Sequence, residues 1–384
     1  MPRALPLFPV TTVGSWPRPE PVLAAQRERR YGRMTRGEFD RVADDAVRAF
    51  VGLQESAGCD LVTDGELRRD NFYSFVADRF AGVRLMTLAE MLDVVEDKVG
   101  FEQLLETLDV PAYSISSPTC VGRLGRVEPL VLDDLRFLRK HTDLPVKVTL
   151  PGPYLLTRAM YVAEVTGAIY PAKEDLAEDV VRLLGEEIEA LAAEGVDFIQ
   201  LDEPVLTEVT FAPGRTRTFM CAALAARKDP AEELEFAVSL INRVADHIED
   251  GNGTRLGVHV CRGNWSRDEA TLLRGSYEPL APYLDRLKVE QLVLEYATER
   301  AGGLLAFDGK ELGLGVVNPR IDRVETIEEI CGAVERATAL YPPESVFLNP
   351  DCGFGTFSGR PMNGADQAEA KLRAMAGAAR ALRG

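Results

Sequence analysis

Four side chains of this sequence could gather around one metal ion. They are His259 and Cys261, in the run His259-Val260-Cys261, together with Glu295 and Cys352. They offer one nitrogen, two sulfurs and one oxygen, a donor set suited to Zn2+. Residues two apart in a strand project to the same face, so His259 and Cys261 can bind one ion together. A purely structural zinc more often takes four Cys or His ligands from short loops. Here a carboxylate is included and the ligands are far apart along the chain. A replaceable oxygen ligand suits a substrate that must enter the coordination sphere. The plain alternative carries weight too. A buried Cys is usually a small hydrophobe, and a lone His is often a satisfied polar group. Of the three histidines, His141 suits a helix C-terminus, where it serves the dipole, and His247 suits a charged, solvated helical stretch.

Such ligands need elements that converge. Short apolar runs alternate with long amphipathic ones. The spacing predicts strands at Val10–Val13, Leu61–Thr63, Val146–Leu150, Phe198–Leu201, Leu256–Val260, Gln291–Leu294, Leu312–Val316 and Val346–Leu348. It predicts helices at Thr35–Ser56, Leu132–His141, Lys173–Glu194, Ala231–Glu249, Thr326–Leu340 and Gly364–Leu382. Within the first, Phe39, Val42, Ala46, Phe50 and Leu53 recur at helical spacing. Eight strands alternating with helices predict an α/β fold, a single (β/α)8 TIM barrel spanning residues 1–384. A doubly wound open sheet is the second choice. Residues 81–130 fit the alternation poorly and read as an insertion, a hairpin with a helix, in which Val110–Ser116 is extended chain. In a barrel His259, Cys261, Glu295 and Cys352 stand at strand ends on the C-terminal face, where such folds place active sites. The spacing from Cys261 to Glu295 and on to Cys352 suits one strand–helix unit and then two.

The bulk numbers narrow the partners. The chain has 384 residues, 46% of them hydrophobic, and a formal net charge of −17 from 61 acids against 44 Lys and Arg. An acidic chain without a basic stripe argues against nucleic acid and against an anionic membrane. Anionic substrates remain open, because a local arginine or helix N-terminus overrules net charge. The start, Met1-Pro2-Arg3-Ala4-Leu5-Pro6, has no apolar core of signal-peptide length, and no run approaches a membrane span. Cytoplasmic placement is expected. The six scattered cysteines (Cys59, Cys120, Cys221, Cys261, Cys331, Cys352) show no disulfide framework.

Six segments in order carry a resemblance. They are Thr11-Thr12-Val13-Gly14-Ser15, Thr63-Asp64-Gly65-Glu66, Leu201-Asp202-Glu203-Pro204, His259-Val260-Cys261, Leu294-Glu295 and Asn349-Pro350-Asp351-Cys352-Gly353. Together they resemble the catalytic C-terminal barrel of the cobalamin-independent methionine synthase family, from near residue 10 to near residue 380. That family is a TIM barrel related to the uroporphyrinogen decarboxylases. The resemblance implies a methyltransferase making methionine from homocysteine, with Zn2+ on His259, Cys261, Glu295 and Cys352. It also implies that carboxylates matching Glu66 and Asp202 hold the homocysteine ammonium, and that the turn matching Gly14-Ser15 holds its carboxylate. An α-amino acid needs anions at one end and N–H donors at the other, so the chemistry agrees. A plainer reading makes Asp202-Glu203-Pro204 a strand-end turn with a helix cap and Gly14-Ser15 a tight turn; neither excludes ligand contact.

Departures from the family pattern concern the methyl donor. The long enzymes carry a second, N-terminal barrel that helps to bind folate, and this chain has no room for it. Their proton-relay histidine lies after the seventh strand; Val316-Val317-Asn318-Pro319-Arg320-Ile321-Asp322 holds none. Their folate-stacking tryptophan follows a Gly-Pro; here Gly152-Pro153 leads to Tyr154. Gly353-Phe354-Gly355-Thr356-Phe357 replaces a usually basic sequence. Methyltetrahydrofolate is a poor leaving group that needs its nitrogen protonated. A donor without that need fits better: a methylcorrinoid, free or on a corrinoid protein, or a methylated small molecule. Asn318 and Arg320 either replace lost contacts or form an ordinary loop. Competing readings are a zinc-dependent thiol alkyltransferase or lyase of the epoxyalkyl coenzyme M transferase type, a zinc-free decarboxylase-like barrel, and a non-enzymatic zinc protein. Two retained carboxylates would repel a dianionic thiol, which favours homocysteine.

Overall fold

The computed structural model describes residues 4–94, 116–211, 229–249 and 251–384. Six parallel strands form a continuous sheet in sequence order: β3 (Lys147–Pro151), β4 (Phe198–Asp202), β5 (Arg255–Val260), β6 (Gln291–Leu294), β7 (Glu311–Val317) and β8 (Val346–Pro350). β1 (Phe80–Thr87) and β2 (Ser116–Arg126) lie outside it as an antiparallel pair. Two short segments complete the barrel. Val10 bridges Leu348 of β8, and Val62 bridges Val146 beside β3, both in parallel. Asp60 N and Leu61 N donate to Val10 O at 2.9 and 3.3 Å, which joins the two segments to each other. The sheet is thus closed in an eight-position ring, the (β/α)8 barrel that the alternation of runs predicts.

The expected strands at Val10–Val13 and Leu61–Thr63 are therefore shorter than the sequence suggests. Each is one bridged residue, because the chain turns away at once through Gly14-Ser15 and Asp64-Gly65 into the mouth of the barrel. The six later strands match their expected positions to within two residues. Amphipathic runs become the outer helices. Thr35 caps Arg36–Ala57 through a reciprocal pair with Glu38, and Thr326 caps Ile327–Thr338 in the same way with Glu329. In Lys173–Ala193 the expected apolar face is buried, with Val180, Leu184, Ile188 and Leu191 all fully enclosed. Each such side chain contributes about 1.5–3 kcal/mol of burial.

The insertion is the expected hairpin with a helix. β1 and β2 pair from Phe80↔Arg126 to Thr87↔Ser116, and a helix at Leu88–Val94 follows β1. Most of the extended run expected at Val110–Ser116 lies outside the described residues. Among the described residues, helices not expected from periodicity include Glu20–Arg30, Pro153–Met160 and Val205–Phe211, with the short turns Ala163–Thr166 and Ala281–Leu284. All eight residues of Pro153–Met160 are buried, so no polar face alternates with an apolar one. Among the described residues, no helix is long and apolar enough to cross a membrane.

Candidate metal and substrate site

His259 lies next to the end of β5, in register with Asp202 at the end of β4. Cys261 follows immediately, and Cys352 follows β8. The ligand atoms of His259, Cys261 and Cys352 lie within 4.8 Å of one another, and all three residues are buried. Nδ1 of His259 pairs with Val293 O at 3.1 Å, which fixes the ring and leaves Nε2 without a hydrogen-bond partner. A backbone carbonyl on the far ring nitrogen is the usual support of a metal-binding imidazole. The electrostatics also call for a cation. Burial opposes charge on His259, but the facing Cys261, Asp202 and Glu295 push its pKa up to about 9. Cys261 is drawn well below the usual thiol range by a hydrogen bond from Cys352, against burial, with His259 adding to the effect. Cys352, on the other side of that bond, is pushed up. The donor set and the unpartnered ring nitrogen fit a metal ion.

Glu295 is close but stands outside that cluster. Its carboxylate accepts from the Arg262 backbone N–H at 2.9 Å, from Arg320 Nη1 at 3.2 Å and from Arg300 Nη2 at 3.3 Å. Burial works against its charge, yet Arg320, Arg300 and Arg262 together hold it below the usual carboxylate range. The cations are themselves anchored. Arg262 lies 3.9 Å over the Tyr277 ring and donates to Gly275 O, and Arg320 also reaches Asp351 and Asn264. Of these arginines only Arg320 is marked by the sequence; Arg262 and Arg300 are not, because separate segments bring the three together.

A narrow cavity of about 60 Å³ opens beside the cluster. Ser15, Glu66 and Asp202 line it along with His259, Cys261 and Cys352. Glu66 sits at φ 53°, in the left-handed region, directly after Gly65 at φ 68°. A non-glycine residue held there costs about 1–3 kcal/mol, and such strain tends to collect where a side chain must be aimed. Glu66 Oε1 accepts from Thr149 Oγ1 at 2.9 Å, while its buried Oε2 has no partner. Asp202 Oδ1 accepts from Gln200 Nε2 at 2.8 Å. Burial pushes Asp202 up to about 7, with His259 opposing and Glu66 adding to the rise. Two buried carboxylates facing one cavity would both be relieved by a cationic group placed between them.

Gly14 does not line the cavity; it makes room behind it. A Cβ there would fall 2.5 Å from Glu66 Oε1 and 2.9 Å from Thr149 Cγ2. Ser15 O accepts from Phe354 N at 2.9 Å, which ties the first loop to the one carrying Cys352. The next residue after Asp202, Glu203, has the capping role: its carboxylate accepts from Tyr154 N and Leu155 N at 2.8 and 2.9 Å. The helix-cap reading of that turn holds, on Glu203, and Asp202 beside it lines the cavity. Sequence reasoning missed Trp265, Asn264, Phe72 and, as lining, Thr356 and Phe357. Trp265, one of two tryptophans in the chain and four residues past Cys261, was the available signal.

Residues 8–381 match the family described as "Cobalamin-independent synthase, Catalytic domain". The chain belongs to this family. The methyltransferase class expected from the six segments stands with it. Curated relatives include a methionine synthase of Saccharolobus solfataricus, 30% identical over 92% of this chain and 90% of that one. Another, from Thermococcus kodakarensis, is 29% identical over 91% and 87%. Among solved structures, a B12-independent methionine synthase from Shewanella sp. W3-18-1, in complex with selenomethionine, aligns with a TM-score of 0.73. Its identity is 24%, and the alignment covers 98% of each chain. This likeness supports the barrel fold.

Within the cobalamin-independent synthase family, two local departures acquire a structural setting here. Tyr154, where the sequence pattern has a stacking tryptophan, is fully buried and donates its hydroxyl to Glu233 at 2.7 Å. In the loop after β7, Asn318 and Arg320 are buried and bonded to Glu269, and Arg320 extends to Glu295. An arginine held between carboxylates is a fixed cation and cannot take the place of a protonating acid.

Proposed function

We propose that this chain transfers a methyl group to the thiol of homocysteine, giving methionine, with Zn2+ held by His259, Cys261 and Cys352 and with Glu295 as the fourth, exchangeable ligand. The observation that carries the reading is the meeting of an N/S/S donor cluster and two cation-seeking carboxylates in one small cavity. A bound Zn2+ supplies Lewis acidity that keeps a substrate thiol deprotonated at neutral pH. With two thiolates and a carboxylate around it, the site would be net negative, which favours a nucleophilic sulfur. Glu66 and Asp202 hold the ammonium, and the Gly14-Ser15 turn holds the carboxylate. The sulfur lone pair forms the new S–CH3 bond as the donor's bond to methyl breaks, the donor leaving with that electron pair. Orientation and exclusion of water from the narrow cavity contribute much of the acceleration.

The donor is one that needs no enzyme acid, such as a methylcorrinoid or a corrinoid protein. Supporting this are the histidine-free loop after β7, with both polar side chains engaged, and the buried Tyr154. A general acid is commonly worth about 10²–10⁴-fold. With homocysteine and zinc-loaded protein, kcat/KM for methylcobalamin should therefore exceed that for methyltetrahydrofolate by roughly 100-fold or more. Comparable turnover with methyltetrahydrofolate, and none with methylcobalamin, would reverse the donor assignment.

Gly14→Ala tests the substrate pocket without touching a ligand. The added methyl must displace the Glu66 carboxylate or Thr149. The KM for homocysteine should rise about tenfold, the cost of one misplaced charged hydrogen bond, with zinc content unchanged. A normal KM would show that Glu66 does not need its present position.

A further inference from the structure

Behind each cavity carboxylate lies a short chain of hydrogen bonds that begins at a buried basic side chain. Lys147, Thr149 and Gln200 all point into the barrel, and Thr149 and Gln200 are register partners on β3 and β4. Lys147 Nζ donates to Thr12 O and, at 3.2 Å, to Gln200 Oε1. A backbone carbonyl can only accept, so Val13 O fixes the Gln200 amide with its nitrogen toward Val13 and its oxygen toward Lys147. Its Nε2 must then donate to Val13 O at 2.9 Å and to Asp202 Oδ1 at 2.8 Å.

The second chain has the same polarity. Arg69 Nη1 donates to Thr149 Oγ1 at 3.2 Å. Guanidinium has no acceptor, so the one hydroxyl proton of Thr149 is directed to Glu66 Oε1 at 2.9 Å. Lys147, Thr149, Gln200 and Arg69 are all at most 4% exposed, so water does not compete for these donors. Each carboxylate thus has one oxygen fixed from inside the barrel. Glu66 keeps Oε2 unpartnered, and both residues face the cavity.

We propose that Thr149 and Gln200 are positioning residues that set specificity for an amine-bearing thiol, by holding Glu66 and Asp202 as aimed acceptors for its ammonium. This rests on the assignment of Glu66 and Asp202 to the substrate ammonium. Lys147 donates to Gln200 from one step further back, and Arg69 orients the Thr149 hydroxyl while also lying 3.9 Å from Glu66 Oε1 itself. The two chains give a role to a lysine, a threonine and a glutamine that lie buried on neighbouring strands. They also explain why the strained Glu66 backbone is tolerated.

The test compares homocysteine with its deamino analogue, which keeps the thiol and the carboxylate. Thr149→Val removes the hydroxyl at nearly constant volume, and Gln200→Met removes the amide. A hydrogen bond to a charged group is worth enough to shift binding about tenfold or more. Each variant should raise KM for homocysteine by about that factor, leave KM for the analogue near its wild-type value, and keep zinc content close to wild type, with melting temperature lowered by the partners left unpaired. Thr149→Ser, which keeps the donor, should recover most of the discrimination. Should Gln200→Met fail to fold, Thr149→Val and its serine counterpart decide the matter. Equal rises for both thiols, preserving the wild-type ratio, would overturn the positioning role. Glu66→Gln and Asp202→Asn serve as the control. If these also leave the ratio unchanged, the assignment of the ammonium site fails, and the positioning role with it; if they alone collapse it, only the positioning role fails.

Discussion

Cys352→Ser should abolish stoichiometric zinc. Wild-type protein purified without chelator is expected to hold about one Zn2+ per chain, and the variant well under a tenth of that after dialysis against a mild chelator. The expectation follows from the geometry. Three ligand atoms within 4.8 Å on buried residues form a preassembled site, and Glu295 is tied up by three arginines. Loss of one sulfur leaves two members of the buried cluster, the exchangeable Glu295 and a hydroxyl that does not ionise near neutral pH. Removing even an outer partner of a metal ligand commonly costs 10–100-fold in affinity, so loss of a thiolate should cost more than about 100-fold. Methyl transfer should fall at least as far. Serine is close to cysteine in size, so folding should be little affected. A variant that retains one tightly bound zinc would defeat the assignment of Cys352 as a ligand. Glu295→Gln offers a contrast: with the three-residue cluster intact, zinc should be weakened but not lost.

That contrast marks where the sequence stopped being informative. His259 and Cys261 were legible because strand geometry puts residues two apart on one face. Cys352 was legible because an apolar run ends just before it. Glu295 was legible as a strand-end carboxylate, but its surroundings were not. Arg320 was noticed in the loop after the seventh strand, but Arg262 and Arg300 stand in other segments, where a lone arginine reads as a solvated cation. Their burial against Glu295 and Asp351 is a tertiary fact. The same holds within the barrel. Lys147 and Gln200 sit in apolar runs that predict strands correctly, yet nothing in such a run says that two polar side chains meet inside it. The barrel itself could be read from alternation, except where alternation fails. Val10 and Val62 form one-residue strands because the functional loops begin immediately after them. The wholly buried helix Pro153–Met160 has no polar face to give it a period.

Arg320→Met should be the most destabilising single change near the site. Arg320 is 1% exposed, and its guanidinium joins Glu295 at 3.2 Å to Asp351 at 3.5 Å. Asp351 is wholly buried and accepts from Tyr296 N and Ala297 N at 2.9 and 2.8 Å, so it cannot turn to solvent. Burial pushes its carboxyl up to about 7, Glu295 adds to the rise, and Arg320 opposes it. Methionine fills most of the volume but leaves two buried carboxylates facing each other with less compensation. Breaking a buried pair by removing one partner costs about 3–5 kcal/mol. For a chain of this size that is a fall in melting temperature of roughly 4–6 °C. Arg320→Lys should recover only part of the loss, because a single ammonium cannot span both carboxylates as the planar fork does. Replacing the carboxylate as well should restore part of it: in a Glu295→Gln background the cost of Arg320→Met should be smaller, since one of the uncompensated charges has gone. Strictly additive losses in that double-mutant cycle would show that Arg320 and Glu295 do not act as a pair, and a melting temperature unchanged by Arg320→Met would remove its role in holding Glu295 at all.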